Sequence, residues 1–200
     1  MGQRLIKMLD NIVFASKNTG KIREVKQLFS GINVKILPAP ETFDPVEDGK
    51  TFMENAIIKA NEAARLTGKT SLADDSGLIV DALDGAPGVH SSRYADTDCA
   101  RINKLLEAMK TIPQGERQAR FFCSMVLIAP EGDILFSTSG VCEGEIIHEP
   151  RGNDGFGFDP VFFLKDKNLT MAEIPLEEKN TLSHRAKALR QMLDWITKNQ

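Results

Sequence analysis

Two adjacent carboxylates, Asp74 and Asp75, lie between two apolar runs in the segment SLADDSGLIVDAL at residues 71–83. A carboxylate held in a fixed place can coordinate a hard cation or accept a proton from water. Because successive residues of a strand point to opposite faces of a sheet, only one of the pair can face a given site. Asp, Ser and Gly also dominate turns, so the pair alone leaves a polar turn between two strands as an open alternative.

A second polar segment, SKNTGK at residues 16–21, follows an apolar run typical of a buried strand and precedes apolar residues at helical spacing. The free amides and the positive dipole end of a helix start attract phosphate, and Lys21 adds a full charge. The segment is not a Walker A loop, because Ala15 stands where that loop needs Gly and Ile22 where it needs Ser or Thr. A capped helix start with a solvated lysine is the alternative.

The loop at residues 38–49 contains three prolines and four acidic residues, among them Glu47 and Asp48. A Mg²⁺ site commonly uses one or two carboxylates, with the remaining oxygen ligands supplied by water and substrate phosphate. Glu47 together with Asp75 would supply such a pair. A merely solvated acidic loop is the alternative.

The glycine-rich segment GNDGFGFDP at residues 152–160 contains two phenylalanines, Phe156 and Phe158. Exposing both rings is costly unless they cover something flat, and a purine ring is one candidate. The alternative is that both rings pack into the core beneath a loop.

Further along the chain, Lys179, His184 and Arg185 place donor-rich side chains around a predicted helix start. Such a corner suits an anion or a carbonyl group. Each of these residues taken singly is more typical of a solvated surface. The sequence contains no arrangement that indicates a Ser-His-Asp or Cys-His nucleophile.

The hydrophobic pattern of the sequence predicts the elements that position these segments. Strands alternate with helices early in the chain, and two strands form a hairpin in its second half. Residues 51–54 have the form of a capping box, so a helix should start there and end at Gly68. Residues 118–130 and 133–141 are predicted as two strands joined by a turn, with a further short strand at 144–147. The expected fold is therefore α/β with a mixed sheet, in a single domain over residues 1–200.

Composition limits the classes of partner. The 200 residues carry a formal net charge of −3, which argues against a broad nucleic-acid-binding surface. No stretch reaches membrane-spanning length, so no membrane partner is expected. Cys99, Cys123 and Cys142 are widely spaced and odd in number, which fits reduced thiols and a cytoplasmic location better than a disulfide framework or a zinc site.

Six ordered motifs together resemble the bacterial members of the inosine triphosphatase family: SKNTGK, the acidic loop before TFMENA, ADDSG, GAPGVHSSRYA, GFGFDP and EKNTLSHR. The resemblance covers about residues 11–195. It implies Mg²⁺-dependent hydrolysis of non-standard purine nucleoside triphosphates (ITP, dITP and XTP) to the monophosphate and pyrophosphate, by a homodimer. It also implies a long mixed sheet flanked by helices, with two lobes and a nucleotide cleft between them.

The resemblance carries roles to particular residues. It implies a triphosphate-binding loop made of Ser16, Lys17, Asn18, Thr19, Gly20 and Lys21. It implies that Asp75 is the proton acceptor and a metal ligand, with Glu47 as the second ligand, and that Ser76 touches substrate. It implies a base-binding loop at Phe156, Gly157, Phe158 and Asp159, and a base-recognition corner at Lys179, His184 and Arg185.

At Phe158 relatives often carry Tyr or Trp, so stacking is retained here but a hydrogen bond from the ring is lost. Asp74 is expected to face the opposite side from Asp75, assisting Lys21 or bracing the loop. Two other functions stay open: a Maf-like nucleotide pyrophosphatase of different base specificity, and a nucleotide-binding regulator that does not hydrolyse its ligand.

Overall fold

The structure is a computed structural model that describes residues 9–199. The helices within these residues are α1 (Thr19–Phe29), α2 (Phe52–Thr67), α3 (Asp98–Ala108), α4 (Leu176–Leu182) and α5 (His184–Asn199). The strands are β1 (Asn11–Phe14), β2 (Lys35–Pro38), β3 (Ser71–Val80), β4 (Gln118–Ile128), β5 (Ile134–Ile146), β6 (Phe162–Leu164) and β7 (Leu169–Thr170). Over this range, none of the helices combines the length and the apolar character needed to cross a bilayer.

The strands form one mixed sheet in the order β2-β1-β3-β4-β5-β6-β7. β1 pairs in parallel with both β2 and β3, whereas β6 pairs antiparallel with β5 and β7. The predicted fold class is therefore confirmed. Strands β6 and β7 were not predicted, because three and two residues are too few for an alternating pattern to be recognised.

The chain divides into two compact units. The first consists of residues 9–75, 123–140 and 185–199 of the described chain, and the second of residues 76–122 and 141–184. Each has its own buried apolar clusters. In the first unit these are built on β1, α2 and α5, and in the second on α3 and β6. The prediction of a single domain and the implied nucleotide cleft both stay predictions.

Helix α2 forms as predicted. The Thr51 hydroxyl accepts from the Glu54 amide at 3.1 Å and the Glu54 carboxylate accepts from the Thr51 amide at 3.2 Å, which is the reciprocal capping box. Gly68 ends the helix with φ 62°, a left-handed conformation that glycine adopts without steric cost. The buried face of α2 is rich in alanine, so the helix can lie close to its neighbours.

One alternative and one local prediction need correction. The alternative that the Asp-Asp-Ser-Gly segment forms a polar turn between two strands is wrong, because β3 is continuous from Ser71 to Val80. The separate short strand predicted at 144–147 is the last part of β5. Gly144 interrupts the sequence pattern there for a packing reason, since a Cβ at that position would lie 2.6 Å from the Phe163 carbonyl oxygen on β6.

Candidate active site

Asp75 is buried in β3, and two side chains of α2 bind its carboxylate. Lys59 Nζ donates to Asp75 Oδ1 at 2.7 Å, and Asn55 Nδ2 donates to Asp75 Oδ2 at 3.3 Å. Burial raises the pKa of Asp75, and the charge of Lys59 opposes this shift without cancelling it. Both oxygens of the predicted catalytic carboxylate are therefore oriented by one helix.

Glu47 converges on the same cation. Lys59 Nζ lies 3.1 Å from Glu47 Oε2, so one ammonium group is shared by the two carboxylates predicted as metal ligands. Burial alone would lower the pKa of Lys59, but the negative charges of Asp75, Asp74 and Glu47 outweigh burial and raise this pKa. The structure thus brings Glu47 and Asp75 together around a positive charge.

This pair fits a magnesium ion. Among residues 9–199, no group of three or more His, Cys, Asp or Glu side chains is placed to hold a metal ion. Mg²⁺ does not need one, because it is commonly held by one or two carboxylates while water and phosphate oxygens complete its coordination. Two carboxylates that already share a cationic group have the charge and donor chemistry for that role.

Asp74 faces a different set of partners, as alternation along a strand requires. Its Oδ2 lies 3.0 Å from Lys21 Nζ and 3.1 Å from Arg185 Nε. Burial would raise the pKa of Asp74, but Lys21 and Arg185 hold it well below its usual range. The expected assistance of Lys21 by Asp74 is therefore present as a buried ion pair.

The segment at residues 16–21 is both a helix cap and a source of charge. Asn18 Oδ1 accepts from the backbone N–H of Lys21 at 3.0 Å and caps α1, while the backbone N–H of Asn18 donates to Ser16 Oγ at 3.2 Å. The alternative of a solvated lysine is wrong for Lys21, whose side chain is only 14% exposed. Lys17 is exposed. Phosphate binding by this segment stays a prediction.

Arg185 lies in the first unit, and carboxylates of that unit bind its guanidinium. Its Nε donates to Asp74 and its Nη1 donates to Glu24 on α1. Asp74 and Glu24 raise the pKa of Arg185 against the effect of burial. Lys179 and His184 belong to the second unit, and the base-recognition role of all three residues stays a prediction.

In the second unit, Asp159 organises the glycine-rich loop. Its Oδ2 accepts from the Phe156 amide at 2.9 Å and from Lys179 Nζ at 2.7 Å. The Lys179 ammonium also lies 4.8 Å from the centroid of the Phe156 ring. Gly155, at φ 83°, leaves space for Asp159, because a Cβ there would overlap the carboxylate. Three of the predicted base-site residues are thus brought together.

The two phenylalanines of this loop differ. Phe158 is 4% exposed and belongs to the core of the second unit, where its ring lies 6.3 Å from that of Tyr94. This agrees with the packing alternative for Phe158. Phe156 is only half-buried. The stacking role stays a prediction for both rings.

The remaining predicted residues have simpler surroundings. His184 is buried, and its ring stacks on Phe121 with centroids 4.9 Å apart. Ser76 is half-buried in β3. The amide of Gly157 donates to Asp98 Oδ2 at 2.7 Å, so the first residue of α3 holds the loop that carries the phenylalanines.

The motifs of the sequence do not mark Asn55, Lys59, Glu24 or Asp98 as functional residues. A signal existed for the first two, because Asn55 and Lys59 lie four residues apart beside the buried alanine face of α2, where polar residues call for partners. Nothing comparable marked Glu24, whose partner lies 161 residues away.

A model of the Ham1 family matches residues 12–195. A dITP/XTP pyrophosphatase of Geobacter sulfurreducens is 46% identical over 194 residues, which cover 94% of this chain and 97% of that protein.

Two solved structures are also similar. That of a HAM1 protein from Coxiella burnetii has a TM-score of 0.85 at 44% identity and covers 94% of this chain and 98% of that chain. That of the Staphylococcus aureus Ham1 protein has a TM-score of 0.84 at 37% identity, covering 95% of this chain and all of that one. The resemblance found in six ordered motifs is confirmed, and the chain belongs to the Ham1 family.

Proposed function

We propose that this protein hydrolyses non-standard purine nucleoside triphosphates, namely ITP, dITP and XTP, to the monophosphate and pyrophosphate. The observation that carries the proposal is the convergence of Asp75 and Glu47 on the Lys59 ammonium. The dITP/XTP pyrophosphatase of Geobacter sulfurreducens, to which the chain is similar over nearly its whole length, supports the substrate class.

In this proposal, Asp75 and Glu47 would hold Mg²⁺, which would neutralise phosphate charge. Lys21, held by Asp74, adds a positive charge for the triphosphate at the start of α1. Asp75 accepts a proton as water attacks the α-phosphorus. The bond from the α-phosphorus to the bridging oxygen breaks, and pyrophosphate leaves with that oxygen.

The proposed binding residues extend the site beyond the reacting phosphate. For the triphosphate they are Ser16, Lys17, Asn18, Thr19, Gly20 and Lys21, and Ser76 also touches the substrate. For the base they are Phe156, Gly157, Phe158, Asp159, Lys179, His184 and Arg185. Side-chain donors suit the 6-oxo group of hypoxanthine or xanthine, whereas the 6-amino group of adenine would place donor against donor. A buried donor without a partner costs ~1–3 kcal/mol, which is enough to reject ATP strongly.

A panel of nucleoside triphosphates with product identification tests the proposal. Pyrophosphate released from ITP, dITP and XTP, with ATP turned over far more slowly, is the expected result. Orthophosphate as the only product would overturn it. Preference for pyrimidine triphosphates would favour the Maf-like alternative, and tight ITP binding in Mg²⁺ without hydrolysis would favour the regulator.

We further propose that the enzyme works in the cytoplasm as a homodimer, with one ITPase-like domain per chain. All three cysteines are free thiols, which suits a reducing compartment. The dimer follows from the family resemblance, and sedimentation at micromolar concentration tests it: a mass twice the 22.1 kDa of one chain is expected.

A further inference from the structure

Asn55 is completely buried on α2, and its side-chain amide both donates and accepts a hydrogen bond. Nδ2 donates to Asp75 Oδ2 at 3.3 Å, and Oδ1 accepts from the Gly49 amide at 2.9 Å. The chemistry of the partners determines the orientation of the amide group, because a backbone N–H can only donate and an ionised carboxylate can only accept. Asn55 therefore joins β3 to the loop before α2.

The contact with Gly49 is unusually close. A Cβ at Gly49 would lie 2.7 Å from Asn55 Oδ1 and 2.8 Å from the Cβ of Glu54. Real Cβ atoms do not approach so closely, so the loop can lie against α2 at this point only because residue 49 is glycine. Glu47 is two residues earlier in the same loop.

A second bridge runs parallel to the first. Lys59, one helical turn after Asn55, binds Asp75 Oδ1 and Glu47 Oε2. One face of α2 therefore holds both oxygens of Asp75 and two points of the acidic loop. The Lys59 bridge is ionic, whereas the Asn55 bridge is neutral and adds no charge that would compete with a cation.

We propose that Asn55 is a positioning residue that sets the separation and orientation of Asp75 and Glu47, and through them the affinity of this site for a divalent cation. The proposal rests on the proposed function. Partners that orient metal ligands in this way typically change metal affinity or activity by about 10- to 100-fold when they are removed. Asn55 is expected to lie within that range.

The test compares Asn55→Leu, which has a similar size but forms no hydrogen bonds, with a matched control, Glu54→Ala. Glu54 is the neighbouring residue, and its carboxylate caps the same helix turn by accepting from the Lys50 and Thr51 amides. Mn²⁺ serves as the probe, because it takes the same oxygen ligands as Mg²⁺ and its binding to nucleotide-free protein is visible by electron paramagnetic resonance.

Asn55→Leu should weaken Mn²⁺ binding by about tenfold or more, and should lower kcat for ITP with little change in KM. Glu54→Ala should lower the melting temperature while Mn²⁺ affinity stays within about twofold of wild type. An Asn55→Leu protein that binds Mn²⁺ as wild type does, or a Glu54→Ala protein that loses as much affinity, would overturn the proposal.

Two further variants keep the test decisive if Asn55→Leu does not fold. Asn55→Asp retains the acceptor for the Gly49 amide, so hydrogen exchange of that amide should stay slow while kcat falls. Gly49→Ala leaves Asn55 in place but displaces the loop, and it should weaken Mn²⁺ binding as Asn55→Leu does. Unchanged Mn²⁺ affinity in Gly49→Ala would contradict the proposal, as would wild-type protein that binds no Mn²⁺. Pyrophosphate release from ITP by the wild type judges the proposed function separately.

Discussion

Asp74→Asn is predicted to destabilise the first unit far more than Asp75→Asn, although the two residues are neighbours. Asp74 is buried between two cations, with Lys21 Nζ at 3.0 Å and Arg185 Nε at 3.1 Å. These charges hold the pKa of Asp74 well below its usual range despite burial, so the carboxylate is ionised in the folded protein. Replacing this carboxylate with a neutral amide removes the negative charge that Lys21 and Arg185 share.

Removing one member of a buried ion pair costs about 3–5 kcal/mol. The lower end applies here, because Arg185 retains Glu24 and the Lys21 side chain is partly exposed. For a urea m-value of about 2 kcal/mol per molar, a loss of about 3 kcal/mol lowers the unfolding midpoint by about 1.5 M. Asp75→Asn should shift the midpoint much less, since burial already disfavours the charged form of Asp75 and Lys59 retains Glu47.

Urea unfolding followed by tryptophan fluorescence provides the assay, in EDTA and without nucleotide at pH 7. The single tryptophan, Trp195, lies on α5 and stacks on Phe136 with ring centroids 5.4 Å apart, so its emission reports on the first unit. Asp75→Asn should fold and lose turnover. A midpoint loss in Asp75→Asn equal to or larger than that in Asp74→Asn would refute this account of the two carboxylates.

The remaining predictions concern the cation at the centre of the site, the half-buried ring of Phe156 and the thiols. Lys59→Met should reduce kcat by about 10²–10³-fold, as removal of a charge-stabilising group does. Mg²⁺ should raise the melting temperature of this variant more than that of wild type, because the ion replaces the lost ammonium. An equal Mg²⁺ effect on both proteins would count against a metal at Asp75. Phe156→Ala should raise KM for ITP by at least about fivefold, since stacking on a base contributes about 1–3 kcal/mol. Inhibition by inorganic tripolyphosphate, which has no base, should stay unchanged. Weaker inhibition by tripolyphosphate would contradict a role of the ring in binding the base. Iodoacetamide should label the exposed Cys99 and spare Cys123 in the native protein, because burial and the nearby Asp74 raise the pKa of the Cys123 thiol. Peptide mapping by mass spectrometry measures the labelling, and equal labelling of the two cysteines would contradict this prediction.

Local features were predictable from sequence wherever the responsible atoms lie within a few residues of one another. Thr51, Glu54 and Gly68 mark the two ends of α2, and the structure has both caps. The alternation of faces along a strand predicted that Asp74 and Asp75 would take separate roles, and their partners differ as expected. The order of six motifs was enough to identify the family, because ordered motifs over a whole chain are far more specific than any one of them.

Tertiary packing alone decided which residues meet. Arg185 reaches Asp74 across 111 positions of the chain, and no periodicity or local spacing records such a contact. Packing also separated Phe158, which joins the core, from Phe156, which stays half-buried, although both occur in one short glycine-rich segment. The physical reason is the same in each case: a side chain's type and local pattern determine what chemistry it can do, whereas burial and long-range contacts determine its charge state and its partner. The sequence by itself therefore determined the family, the fold class and the carboxylates, and the folded chain decided that Lys59 and Asn55 hold them in place.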